Sequence, residues 1–282
     1  MTRSKRGKGV RRRVEPNNMI PGNWNAFLRV DENKAELFRF LADLSIGLKV
    51  GGKQVISTRG HGVVCNSDID ICNLSRCTHE EADTRILLHA VECAMQEFNT
   101  VVIRTVDTDV MIIAISMFQH LGLSELWIAF GTGKNFHYVP IRDIVKEMGP
   151  TKARSLTAFH AFTWRDQTSS FVGIDKNTAW ATWKVYDEIT SAFVALSLVP
   201  REDRLKEIMP EIEHFVALMY DRTSTSLTVN EARKDLFTRK DEVLRIHHQH
   251  MTSWLNTQNG IIPGWLLLGT VPYTRSYIVV SC

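Results

Sequence analysis

Two aspartates at the end of a run of valine and isoleucine constrain the fold more than any other feature. Val101–Val106 is typical of a buried β-strand, and Asp107 and Asp109 follow it directly. Because ligands in open α/β sheets bind outside the carboxyl ends of the strands, this strand end is a candidate site. Clustered carboxylates are costly unless a hard cation neutralises them, so the pair predicts a Mg²⁺ site for phosphate chemistry. Helix capping by Asp109 is the alternative interpretation.

A second acidic pair, Glu81 and Asp83, stands where a helix is predicted to begin. Acidic side chains are favourable in the first turn of a helix because the helix dipole is positive there. Taken alone, Glu81 and Asp83 are therefore better explained as ordinary capping residues than as catalytic ones. Together with the strand-end pair, we expect them to converge at one edge of a sheet.

Strand and helix patterns alternate in the middle of the chain, which predicts an α/β fold with a parallel sheet and helices on both faces. Asn33 is predicted to cap the first helix. Beyond about residue 151 the strand signals fade and helices follow one another. The predicted strands are 54–58, 62–65, 101–106, 126–130 and 136–140, and the predicted helices are 35–44, 80–98, 110–121, 141–147, 155–162, 178–189, 204–220 and 229–237.

The composition narrows the classes of function. With 282 residues, of which 44% are hydrophobic, the chain can bury a substantial core. No apolar run approaches the length of a membrane span, so no membrane partner is expected. The five cysteines form no CxxC pair, which favours a reducing, intracellular setting.

The first thirteen residues carry a dense basic strip with two glycines. Its cations are Arg3, Lys5, Arg6, Lys8, Arg11, Arg12 and Arg13. Such a strip is typical of phosphate binding or of nuclear targeting. A solvated tail explains the composition equally well.

A third acidic segment follows the core. Asp166 ends the sequence HAFTWRD, and seven residues later Gly173-Ile174-Asp175-Lys176 opens a helix. The order of these segments resembles the flap endonuclease/XPG-like branch of the PIN-like nuclease superfamily. That family has an acid-x-acid pair, a strand ending in another such pair, a further Asp, and a glycine-rich turn of a helix hairpin.

Five phrases are also similar to those of a group of uncharacterised animal proteins with such a nuclease-like core. They are HEEADTR at His79–Arg85, TVDTDV at Thr105–Val110, FGTGK at Phe130–Lys134, HAFTWRD at His160–Asp166 and YDRTS at Tyr220–Ser224. The resemblance implies a Rossmann-like, PIN-like core. It also implies that Mg²⁺ or Mn²⁺ is bound by five catalytic carboxylates, namely Glu81, Asp83, Asp107, Asp109 and Asp166.

The resemblance further implies that Gly173 and Lys176 contact a nucleic-acid backbone, and that the partner is DNA or RNA. Together with the basic strip, it favours an intracellular and nuclear location. We expect a basic lead segment over 1–32, a partial PIN-like core over 33–150, a helical part with a helix-hairpin-like turn over 151–246, and an irregular tail over 247–282.

Three departures from the family pattern predict weak or absent cleavage. Trp164 and Arg165 replace Gly-Cys, and Asp175 replaces Gly. The family's first strand and its two early aspartates have no counterpart, so we expect the back portion of a longer nuclease-like protein. The hypotheses are a partial or degenerate metal-dependent, structure-selective nuclease, a non-catalytic nucleic-acid-binding remnant, and a partial gene product without activity.

Overall fold

A computed structural model describes residues 9–48, 50–68, 70–75, 82–163, 171, 173–198, 201–239 and 276–280. The chain divides into two compact units, Met1–Glu80 and Glu81–Cys282. In the described ranges, no helix is both long and apolar enough to cross a membrane.

The first unit is built on two helices, α1 (Trp24–Leu28) and α2 (Asp31–Ile46). The prediction that Asn33 caps α2 is wrong, because the helix begins two residues earlier and Asn33 lies inside it. The Asn33 side chain is fully buried. Its amide donates to the carbonyl oxygens of Val10 (2.8 Å) and Phe27 (2.9 Å), and its Oδ1 accepts from the backbone N–H of Arg12 (2.9 Å). The asparagine therefore serves tertiary contacts.

A hairpin and a short helix complete the described part of this unit. Strands β1 (Ile56–Arg59) and β2 (Gly62–Cys65) pair antiparallel through a two-residue turn, and α3 covers Cys72–Ser75. Both strands predicted here are confirmed: β2 has the predicted bounds, and β1 begins two residues later and ends one residue later than predicted.

The second unit holds a mixed sheet and many helices. Its strands are β3 (Thr100–Thr105), β4 (Glu125–Phe130), β5 (His137–Pro140) and β6 (Ser276–Val280), in the spatial order β5-β4-β3-β6. Its helices are α4 (Ala82–Met95), α5 (Thr108–Met117), α6 (Ile141–Met148), α7 (Pro150–Thr163), α8 (Lys176–Val185), α9 (Ile189–Leu196), α10 (Glu202–Tyr220) and α11 (Val229–Arg239). The α/β class is confirmed.

The prediction of a wholly parallel sheet is wrong at β5. Strand β3 pairs parallel with β4 and β6, whereas β4 pairs antiparallel with β5. Only residues 131–136 join β4 to β5, and so short a connection cannot cross over to a parallel strand. The connection needs glycine at Gly131, which has a φ of +82° and whose added Cβ would lie 2.4 Å from the carbonyl oxygen of Asn135.

The two faces of the sheet differ in burial. Val101, Ile103, Leu126 and Ile128 are almost completely buried on one face. On the other face the described side chains of β3 and β4 are mostly half-buried, and Tyr138 of β5 is exposed. Sheets with helices on both faces have strands that are buried throughout. The expected coverage by helices on both faces is therefore not confirmed.

An aromatic cluster forms the centre of the helical part. Trp183 of α8 has no exposed surface and stacks on Phe159 of α7, with ring centroids 4.5 Å apart. Its indole Nε1 donates to the hydroxyl of Thr190 at 2.8 Å. The single helix predicted over 178–189 is wrong, because Tyr186 leaves helical geometry and α9 begins at Ile189.

The predicted irregular tail contains a strand. Ser276–Val280 pairs parallel with β3, with Thr100 opposite Ser276 and Arg104 opposite Val280. Tyr, Ile and Val residues favour strands, and a neighbour satisfies the backbone groups along the second edge of β3. The other tail residues lie outside the described part of the chain.

A pH prediction arises from His89 of α4. Burial first, and then the nearby Arg85 cation, lower the pKa of the His89 imidazole. Because the unfolded state binds its proton at a higher pH than the folded state does, stability is lost as pH falls below about 6.5. We expect His89→Gln to weaken this acid sensitivity in urea melts between pH 7 and pH 5. The matched control is His120→Gln at an exposed histidine, and equal acid sensitivity of all three proteins would contradict the prediction.

Candidate functional site

The end of β3 presents both predicted aspartates to solvent. Asp107 is the N-cap of α5, because its Oδ1 accepts from the backbone N–H of Asp109 at 2.9 Å. Its own N–H donates to the hydroxyl of Thr105 at 3.0 Å. The capping role considered for Asp109 thus belongs to Asp107, and Asp109 lies in the first turn of α5, where the helix dipole favours a carboxylate.

Asp109 is connected to two residues from other segments. His160 of α7 lies with Nε2 3.0 Å from the Asp109 Oδ1, and Lys176 at the start of α8 lies with Nζ 3.1 Å from the His160 Nδ1. The packing of α5 against α7 brings the first pair together. Three of the segments that carry the resemblance, TVDTDV, HAFTWRD and the stretch after Gly173, therefore meet at one point.

The directions of the hydrogen bonds from Lys176 through His160 to Asp109 are consistent with one another. An ammonium group can only donate, so Nδ1 of His160 accepts and its proton stands on Nε2, which donates to Asp109. Burial first, and then the Lys176 cation, lower the pKa of His160, while Asp109 and Asp107 act in the opposite direction. Burial also lowers the pKa of Lys176. A neutral histidine thus separates a cation from an anion.

Asp83 lies in the first turn of α4 and is half-buried. At the other end of α4, Glu97 adopts a left-handed φ of +64°, and Phe98 N–H donates back to the Cys93 carbonyl at 3.0 Å. The chain reverses there into β3, against which α4 packs, so α4 begins toward the sheet edge at which β3 ends. The convergence of Asp83 with Asp107 and Asp109 stays a prediction. Glu81 and Asp166 lie outside the described residues.

A Mg²⁺ or Mn²⁺ ion needs several oxygen ligands. Among the described residues, no three His, Cys, Asp or Glu side chains are grouped to hold a metal. Asp107 and Asp109 each give one carboxylate oxygen to a hydrogen bond, and Lys176 places a cation near Asp109. The described part of the predicted ligand set does not by itself fit a metal pair.

In the turn before α8, which was predicted to bind a nucleic-acid backbone, the side chain of Asp175 bonds to the first turn of the helix. Gly173 has a φ of +76°, in the left-handed region. Asp175 caps α8, and its Oδ1 accepts from the backbone N–H of Thr178 at 2.7 Å. That hydrogen bond lowers the pKa of the Asp175 carboxyl, so the group is ionised at neutral pH. A carboxylate therefore stands where an incoming phosphate would meet the helix N-terminus.

Part of the basic strip is fixed to the first unit. Arg11 forms an ion pair with Glu36 and donates to Asn33 Oδ1 at 3.0 Å. Gly9 lies so close to α1 that an added Cβ would be 2.9 Å from the carbonyl oxygen of Ala26. Arg12 and Arg13 are exposed. Arg3, Lys5, Arg6 and Lys8 lie outside the described residues.

Sequence reasoning missed His160 as a member of this region and missed the role that Arg104 has in it. His160 entered it only as the first letter of HAFTWRD, although a histidine six residues before a predicted catalytic Asp was an available signal. Arg104 organises the strand ends, because its guanidinium donates to the carbonyl oxygens of Thr105 (2.8 Å), Ala129 (3.0 Å) and Gly131 (2.6 Å). Its position inside an apolar strand gave no indication of that role.

Comparison of the chain with protein-family models, with curated proteins and with solved structures finds no match. What is established is an α/β protein with a mixed sheet and a group of polar side chains at the end of its parallel strand β3.

Proposed function

We propose that the chain is a nuclease-like α/β protein that binds nucleic-acid phosphodiesters and cleaves them weakly or not at all. The observation that carries the proposal is the contact from Lys176 through His160 to Asp109. Three segments that resemble the nuclease family meet there, at a strand end of the kind that binds ligands in α/β sheets. This supports a site of nuclease ancestry.

The same contact favours binding over cleavage. In a metal-dependent nuclease, the carboxylates hold ions that activate water and stabilise the leaving oxygen. Here one of the two exposed strand-end carboxylates is hydrogen-bonded to a neutral histidine, and a lysine supplies positive charge nearby. The Lys176 ammonium attracts a phosphate in the absence of metal ions by about 1 kcal/mol at about 4 Å in water, and the carboxylates of Asp107 and Asp109 oppose that attraction.

The direct test is a cleavage assay with end-labelled flap, nicked and single-stranded DNA and with single-stranded RNA. We expect little or no cleavage above the EDTA control in Mg²⁺ or Mn²⁺. The Asp107→Asn/Asp109→Asn variant should give the same result. Robust metal-dependent cleavage by the unmodified chain that disappears in this variant would overturn the proposal and establish a nuclease. Failure to bind any of these nucleic acids would also overturn the proposal, because the chain would then not be a nucleic-acid-binding protein.

The basic strip gives the proposal a salt-dependence test. The binding constant falls as salt rises, and each phosphate that the protein neutralises makes the slope of log K against log salt steeper by about 0.9 for duplex DNA, because counterions are released. Replacing Arg3, Lys5, Arg6 and Lys8 by Gln leaves Arg11, which contacts Asn33 and Glu36, unchanged. We expect the slope, measured by fluorescence anisotropy, to become shallower by about 0.9 for each phosphate that these side chains neutralise in wild type. An unchanged slope would locate the phosphate-binding residues elsewhere.

Asp175 offers a gain-of-binding prediction. Asp175→Asn keeps an oxygen that can accept from Thr178 N–H but removes the negative charge at the start of α8. Removing a repulsion of about 1 kcal/mol should tighten duplex binding about five-fold. Asp143→Asn is the matched control, because Asp143 is an exposed acid in the first turn of α6. Equal affinities of the two variants would show that α8 does not face the phosphate backbone.

A further inference from the structure

Two aromatic side chains at the start of the edge strand β5 are exposed to solvent, Phe136 in the connection just before the strand and Tyr138 within it. Phe136 is 41% exposed and Tyr138 is 58% exposed, and their rings meet edge to face with centroids 5.2 Å apart. Large aromatic residues usually contribute to stability through burial. An exposed pair on an edge strand also creates a risk of aggregation. Folding therefore does not explain the pair.

A fixed cation adjoins these rings. The register places Arg104, Ala129 and Tyr138 side by side across β3, β4 and β5. The Arg104 guanidinium lies 5.2 Å from the centre of the Phe136 ring, and its bonds to three carbonyl oxygens hold it in place. Lys134 adds an exposed cation in the connection before β5. Among the residues that the structure describes, no ion pair engages Lys134.

The pair lies within reach of the strand-end carboxylates. In the strand register, Thr105 at the end of β3 pairs with Phe130 of β4, and Phe130 pairs with His137 of β5. Two strand spacings amount to about 10 Å. That is about three nucleotides of a stacked strand at ~3.4 Å each. One strand of nucleic acid can therefore contact the aromatic pair and the Asp107–Asp109 end together.

We infer that Phe136 and Tyr138 form a stacking platform for the bases of single-stranded nucleic acid, with Lys134 and Arg104 facing its phosphates. Aromatic rings bind unpaired bases because every base offers a π-face, whereas the bases of a duplex are stacked on one another. This inference rests on the proposed function and adds to it a binding site for unpaired strands.

The test compares wild type with Phe136→Leu/Tyr138→Leu, which keeps apolar bulk and removes the rings. Binding of a labelled single-stranded oligonucleotide and of a blunt duplex of equal length is measured by fluorescence anisotropy. We expect a loss of single-strand affinity of about five-fold to about 150-fold per stacked base, and unchanged duplex affinity. The exchange variant Phe136→Tyr/Tyr138→Phe should retain wild-type affinity. Phe38→Leu, at an exposed phenylalanine of α2, is the matched control.

The outcomes separate this inference from the proposed function. If wild type binds neither probe, the proposed function fails. If wild type binds the single strand and the leucine variant binds it equally well, the platform is wrong while the proposed function stands. Equal losses for both probes would also overturn the platform. Sedimentation equilibrium tests the alternative that a second copy of the chain binds this edge. A wild-type dimer that the leucine variant abolishes would support that alternative and overturn the platform.

Discussion

Replacing Trp183 by alanine is expected to lower the free energy of unfolding by about 3–5 kcal/mol, which is the usual cost of truncating a buried Trp. The side chain has no exposed surface and contacts the rings of Phe159, Phe193 and Trp180. Its truncation leaves a cavity at the junction of α7, α8 and α9. It also removes the indole N–H that donates to the Thr190 hydroxyl, which keeps its own hydrogen bond to Asp187. Urea unfolding followed by far-UV circular dichroism measures the change without depending on tryptophan fluorescence.

Two control variants divide this effect into its parts. Trp183→Phe keeps an aromatic ring and loses the Nε1 hydrogen bond, so it should cost about 1–2 kcal/mol. Trp180→Ala removes a neighbouring ring that is only half-buried and should cost less than Trp183→Ala. A loss below about 1 kcal/mol for Trp183→Ala would show that this cluster does not stabilise the unit.

Elements that bury one face were predictable from local sequence. The Val/Ile run of β3 and the periodic apolar residues of α4 and α10 match the observed strands and helices within a few residues. The direction of β5 was also available, because the connection after Phe130 is too short for a crossover. Strand β6 could not be predicted from the sequence, because its partner β3 lies far away along the chain and five residues carry too little periodicity.

The site was predictable where it depends on one strand and unpredictable where it depends on packing. Asp107 and Asp109 were identified from the end of β3, since strand ends are local features. The contact of His160 with Asp109 depends on how α7 packs against α5. Asp175 was recognised as an added negative charge, but its hydrogen bond to Thr178 required the geometry of the turn.

Asn33 shows how a local rule fails when a side chain is needed for tertiary contacts. Asparagine before an apolar run predicts a helix cap. The structure instead uses both ends of its amide to fasten the segment after Gly9 onto α1 and α2. A pattern of residue types cannot distinguish these uses, because both need a short side chain with an oxygen acceptor.

Asn33→Ala is therefore expected to be the second most destabilising change, and its effect should be concentrated in the first unit. It leaves the carbonyl oxygens of Val10 and Phe27 and the N–H of Arg12 without their present partners. Each buried polar group left unsatisfied costs about 1–3 kcal/mol, and access of water to the loosened segment reduces the sum, so we expect a loss of roughly 2–4 kcal/mol.

Trypsin gives a local readout of that loss, because the released segment contains Arg11, Arg12 and Arg13. In wild type, the contacts of Asn33 and the ion pair of Arg11 with Glu36 should slow cleavage there. Asn33→Ala should speed cleavage after these arginines by about ten-fold or more, as expected when about 1.4 kcal/mol or more of local stability is removed. Asn18→Ala is the matched control, because Asn18 is exposed and its side chain donates to the carbonyl oxygen of Arg13. If both variants are cleaved at the wild-type rate, Asn33 does not hold the segment, because release of the segment would expose these bonds to the protease.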